Sequence, residues 1–213
     1  MKNYFAATYM QLSDKIGRIS RKLWRNKLER SQLQNCDFTI FSQNCIGGIM
    51  YHDLGLQFRS PTVNLLFTPS DFIKFMKDIK TYLGAPLRFE DRNTNYPVAF
   101  LNNIEIRFLH YKTAEEANEK WEDRKARINW DNIFVICCDE GLSYDEILDF
   151  DSLPFEHKII FLSKEMPEIK SGVYTKRFSD KTDARLLNFA DPLGKRYYQD
   201  YIDYVKWLNK DSI

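Results

Sequence analysis

Asn132-Ile133-Phe134-Val135-Ile136-Cys137-Cys138 and, twenty residues on, Lys158-Ile159-Ile160-Phe161-Leu162 decide the fold class. Each run is short and almost free of polar breaks. A strand with one wet face alternates apolar and polar side chains. A strand covered on both faces does not, and such strands build parallel sheets flanked by helices. The surrounding spacing is helical. Thr113 caps a charged helix through about Asn129 with Ala114, Ala117 and Trp121 on one side, and Tyr144 to Asp149 reads as a shorter helix. Strands alternating with helices give an α/β fold of three layers, α/β/α, with a mostly parallel sheet and the two apolar runs at its centre. Leu87–Phe89, Val98–Leu101 and the alternating Ile104–Leu109, turning at Asn102-Asn103, add an antiparallel hairpin portion.

Working outward, Asp37–Ser42 is a β-branched and aromatic strand. Gln43-Asn44-Cys45-Ile46-Gly47-Gly48 is a sharp turn into a short helix that Gly55 ends. Ser60–Phe67 is extended after a proline, and Thr68-Pro69-Ser70-Asp71 caps a helix over Phe72 to Leu83. Val173–Thr175 is a further strand, and residues 195–209 an aromatic-rich final helix. Residues 14–30 are helical, with Ile16, Ile19, Leu23, Trp24 and Leu28 near one face. The first thirty residues hold eight Lys or Arg against two acids, a net charge of +6. Such a segment either packs its apolar stripe on the core under a solvated basic face, or lies on an anionic membrane surface.

The 213 residues fit one domain, 1–213, with residues 1–30 as a basic N-terminal segment. Lys and Arg number 31 against 30 acids, which argues against a nucleic-acid partner. No run approaches the ~18 apolar residues of a membrane span. The N-terminal apolar patch is too short for a signal peptide, and the expected location is cytoplasmic. Cys36, Cys45, Cys137 and Cys138 form no CxxC pair, and three scattered histidines do not match metal-ligand spacing, so no metal is expected and no cofactor is specified.

Ligands of open α/β sheets bind beyond the carboxyl ends of the strands. The first such end is the 42–48 turn, where Asn44, Gly47 and Gly48 suit an anion held by free amides at a helix start, or else serve close packing alone. Cys45 there is a candidate nucleophile with His52 as its base, although two helical turns separate them by ~10 Å. The second is Asp139-Glu140 after the central strand, candidate general bases or helix-capping acids. Arg59 suits a phosphate or carboxylate, and Asn64 a cleft-facing polar group. Basic Lys195-Arg196 at a helix start opposes the helix dipole and hints at an anion nearby.

The string Phe41–Leu56 followed by Ser60–Phe67 resembles a bacterial family of unknown function whose members are often described as exopolysaccharide biosynthesis proteins. Pro97–Leu101, the Trp121 helix with Arg124 and Arg127, Asn129–Asn132, and Gly194-Lys195-Arg196-Tyr197 with Tyr201 and Trp207-Leu208 are similar too, so the likeness covers residues 14–209. The resemblance implies an α/β transferase of cell-surface polysaccharide assembly and assigns no catalytic residues. The leading expectation is a transferase acting on a sugar or sugar-phosphate, working in the cytoplasm at the inner membrane face. The alternatives are a saccharide- or partner-binding assembly module, and a cysteine acyltransferase or hydrolase, which requires Cys45 exposed beside His52 or His110.

Overall fold

In the computed structural model, which describes residues 14–211, the two apolar runs lie side by side in a four-stranded parallel sheet. The order is β1 (Thr39–Ser42), β5 (Ile133–Cys138), β6 (His157–Leu162) and β7 (Gly172–Tyr174). β5 pairs with β1 on one side and β6 on the other, Phe41 opposite Val135 and Ile136 opposite Ile159, so the two runs hold the middle. Alternate side chains then enter different cores. Ile40, Phe134, Ile136, Cys138, Ile159 and Phe161 pack with residues of α2 (Ile46–Leu54) and α7 (Tyr204–Leu208). Phe41, Val135, Cys137, Ile160 and Leu162 pack with α3 (Pro69–Lys77), α5 (Ala114–Lys125) and α6 (Tyr144–Asp151). This is the three-layer arrangement, and it explains why neither run shows a polar alternation.

The antiparallel portion is a sheet of its own: β2 (Arg88–Glu90), β3 (Val98–Leu101) and β4 (Ile104–Arg107), with Asn102 left-handed at the hairpin (φ 55°). Two residues stitch the sheets together. Leu66 exchanges backbone hydrogen bonds with Arg107 at 2.8 and 3.0 Å, and the Phe67 N–H donates to Gln43 O just past β1.

Three segments differ from the sequence reading. The helix expected over 72–83 breaks at Asp78 (φ −136°, ψ 49°), dividing α3 from α4 (Ile79–Gly84). The break lets Phe72, Phe75 and Met76 on one side and Ile79 and Leu83 on the other enter the same core. Residues 195–209 form a 3-10 turn at Tyr197–Asp200 and then α7, because the Asp203 carboxylate accepts the Lys206 N–H and starts a new helix. Within 60–67 only Leu66 is bridged. Residues 61–64 are a turn, with Asn64 left-handed at φ 67°.

The N-terminal helix, α1, is helical over 14–20, passes through a π turn at Arg21–Arg25, and continues as Asn26–Gln32. The Asn26 N–H reaches back five residues to Arg21 O. The extra residue of a π turn sets everything after it back by about 100°. That rotation brings Asn26 and Glu29 onto the face of Arg21, which donates to both, and all three are buried. Arg21 also pairs with Asp53 of α2 at 3.0 Å. Gly17 lies so close to the 187–196 loop that a Cβ would meet Phe189 at 2.7 Å. The expected apolar-inward reading is therefore reversed: the polar face packs, and Ile16, Ile19, Leu23, Trp24 and Leu28 are exposed. Among the described residues, no helix is long and apolar enough to cross a membrane.

Candidate functional site

β1 and β5 are parallel neighbours, so their carboxyl ends are adjacent, and the residues after them meet. Asn44 links the two directly: its amide donates to Cys138 Sγ at 3.4 Å, and its Oδ1 accepts the Ile46 N–H at 3.0 Å. Ser42 Oγ accepts the Gly47 N–H. Two first-turn amides of α2, expected to stand free for an anion, are thus capped by the protein's own side chains. The glycines serve close packing. A Cβ on Gly47 would meet Ile40 and Ser42 at 2.9 Å, and one on Gly48 would meet Val63 at 3.2 Å.

Asp139 is 8% exposed. One carboxylate oxygen accepts from the Ser163 N–H at 2.7 Å and Oγ–H at 2.8 Å, and the other accepts from the Thr182 hydroxyl. A buried carboxylate that accepts three hydrogen bonds from the protein's own loops is held as a structural acceptor. It ties the ends of β5 and β6 to the 180s loop. Glu140 points outward and pairs with Lys181 at 2.7 Å. Neither carboxylate, expected as a catalytic base, stands unpartnered in this structure. Cys137 and Cys138 are sealed in, and burial pushes their thiols up, Cys138 to about 12.

Cys45 differs. It is half-buried at the N-cap of α2, and its Sγ lies 3.5 Å from His110 Nε2. His110 is exposed, and its neighbour Tyr111 is anchored. The Tyr111 hydroxyl donates to Val63 O at 3.0 Å, and buried Arg124 donates to that same carbonyl and to the Tyr111 hydroxyl. Asn64 faces α2 further along, its Oδ1 3.6 Å from the position of a Gly48 Cβ. Burial raises the Cys45 thiol above its ordinary range, so it rests protonated and needs a base at the moment of attack.

His52 is not that base. It lies two turns away, largely exposed, with Nδ1 3.4 Å from Asp53. It does share the outward face of α2: Cys45, Ile49 and His52 are the residues of that helix not buried. Seven residues at 1.5 Å each place Cys45 and His52 about 10 Å apart along one side. Beyond Ile49 and His52 opens a cleft of about 410 Å³ whose other wall carries Arg18 and Lys22 of α1 and Arg196. Arg196 donates to the buried Asp53 carboxylate at 3.1 Å, so the anion hinted at by Lys195-Arg196 is part of the protein. Arg18 and Lys22 make no ion pair among the described residues.

Arg59 lies at the other end of the sheet. It pairs with Asp37, which precedes β1, at 2.6 Å, beside Asn129 and Trp130 in a separate hollow. Its grouping with Asn44 and the glycines is corrected: the chain from α2 runs back along the strand before reaching it. The Cys45–His110 contact spans 65 residues, and only the packing of β4 against the 63–67 segment closes that gap.

A family model described as a domain of unknown function, DUF1919, matches residues 16–209. An uncharacterised protein of Haemophilus influenzae is 40% identical over 191 residues, covering 89% of this chain and 92% of its own.

Proposed function

The chain belongs to the DUF1919 family, and from that premise we propose that it is a transferase of cell-surface polysaccharide assembly that moves an acyl group onto a phosphate-bearing saccharide at the cytoplasmic face. The observation that carries the reading is the 3.5 Å approach of Cys45 Sγ to His110 Nε2 at the carboxyl edge of the parallel sheet. In the first step the sulfur attacks the carbonyl carbon of an acyl ester or thioester, and His110 takes the thiol proton and delivers it to the departing alcohol or thiol. In the second, a saccharide hydroxyl attacks the thioester carbon. His110 takes the hydroxyl proton and returns it to the sulfur as the S–C bond breaks. Arg18 and Lys22 supply a cationic wall for phosphate across the cleft from His52, about 10 Å along the same face of α2, a distance that one sugar unit and its phosphate span.

The test is intact-mass spectrometry after incubation with acyl-CoA donors. A single acyl adduct is expected on Cys45. Cys45→Ser abolishes it, and His110→Ala slows it at least about a hundredfold. An adduct confined to exposed Cys36, or one that persists in Cys45→Ser, overturns the assignment. A non-catalytic saccharide-binding module is the second reading, favoured by the capped amides and the Asp139 carboxylate held by loop hydrogen bonds. Saccharide-phosphate binding that survives Cys45→Ser with no adduct in either protein supports it.

A further inference from the structure

Apolar side chains normally leave water when a helix packs. On α1 they do not. Ile16, Ile19, Leu23 and Leu28 are 41, 58, 66 and 48% exposed, and Trp24 is 40% exposed. Leu193, 58% exposed, joins the same region from the loop that Ser20 Oγ holds through Pro192 O at 2.7 Å. Six of the nine exposed large apolar residues of the described chain thus collect on one helix and the loop it grips. The helix cannot roll to hide them. Arg21, buried at 2% exposure, is tied to Asp53 and Gly194 O, and Glu29 accepts from Gln199 and Tyr204, so turning α1 over would break all four ties.

The charge beside this ridge chooses its partner. Lys15, Arg18, Lys22 and Lys27 are all exposed and make no ion pair among the described residues. A protein partner or a second copy would have to bury an apolar ridge bordered by unpaired cations, and a second copy would bring like charge against like. An anionic bilayer satisfies both features at once. Apolar side chains of an interfacial helix enter the headgroup and upper acyl region by ~5–10 Å, while lysines on its flanks meet lipid phosphates. Nineteen residues give α1 a length of about 28 Å, enough to lie along the surface over several headgroups.

We infer that α1 is a peripheral membrane-docking helix that inserts Ile16, Ile19, Leu23, Trp24 and Leu28 into an anionic lipid surface, with Lys15, Arg18, Lys22 and Lys27 on the headgroups. This reading stands on α1 alone and does not depend on the Cys45–His110 chemistry. It does place the cleft with Arg18 and Lys22 at headgroup level.

The experiment is vesicle flotation of the full chain, on phosphatidylcholine alone and on the same lipid enriched in phosphatidylglycerol. The chain should float with the anionic vesicles and stay behind with the neutral ones. Ile19→Glu/Leu23→Glu should abolish flotation while its thermal melt stays that of the parent, since both side chains already face water. Lys15→Gln and Lys27→Gln should each weaken binding about fivefold. No flotation on anionic vesicles overturns the inference, as does undiminished flotation of the double glutamate variant. So does a concentration-dependent dimer, seen by light scattering without lipid, that the double variant dissolves.

Discussion

α1 and α5 are both rich in charge, and both show apolar residues at helical spacing, yet they pack in opposite senses. α5 follows the common rule. Ala117 and Trp121 are buried against Phe75 and Phe108, and glutamates and lysines face water. α1 inverts it, burying Arg21, Asn26 and Glu29 and exposing Ile19 and Leu23. The difference shows that periodicity defines two faces of a helix without saying which one the protein wants. On α5 the apolar face wins by burying a tryptophan. On α1 the polar face wins because Arg21 finds two carboxylates and a carbonyl in place, and a π turn aligns its partners.

That contrast can be broken. The largest effect is expected for Trp121→Ala, a loss of about 3–5 kcal/mol in urea unfolding, as for other buried tryptophans. Arg21→Ala should cost a comparable ~3 kcal/mol, because it removes the buried cation that two buried carboxylates share and leaves Glu29 only Arg25 and Asp53 only Arg196. A loss under about 1 kcal/mol would mean that the polar face does not anchor α1, and the contrast would fail.

A pH series sharpens the same point by testing a buried polar group that lacks a partner. His157 stacks on Phe134 at 4.8 Å, and its Nε2 is sealed without a hydrogen bond. Burial holds its imidazolium below the ordinary 6.5 despite the nearby Glu156 carboxylate. The unfolded chain therefore binds this proton more readily than the folded one. The stability that neutral His157 contributes is full above pH 6.5 and is lost as pH falls below it. His157→Phe should flatten that part of the profile, and an unchanged slope would assign it to other groups. The smallest effect belongs to Leu23→Ala on the exposed ridge, within about 0.5 kcal/mol of the parent. A loss of several times that would show the ridge packed in solution.

Much of the fold is legible in the chain itself. Ile133–Cys138 and Lys158–Leu162 could only be strands covered on both sides. Thr68 and Thr113 cap their helices by accepting the Asp71 and Glu116 N–H groups, as their short polar side chains suggest. The Asp78 break was not legible, because the apolar spacing runs straight through it. The site was half legible. Cys45 stood out at a turn after a strand, but its partner lay 65 residues away among three histidines with no spacing to choose between them. Arg59 looked like a neighbour of the turn and is not, since α2 carries the chain back along β1. Asp139 was noticed for its place at a strand end, and the hydrogen bonds that hold it come from residues 163 and 182, far along the chain.

By itself the sequence determined the local states: which segments are strands, where helices start, that two strands are wrapped by helices, and that α1 has an apolar and a basic side. Those are set by side chains within a few residues of one another, where backbone preference and periodicity act. Only the tertiary structure decided which side of α1 meets the core, which histidine meets Cys45, and that Asp139 ties loops together. Each of these depends on a partner dozens of residues away, and a buried charge or thiol takes its character from whatever the fold sets within hydrogen-bonding reach.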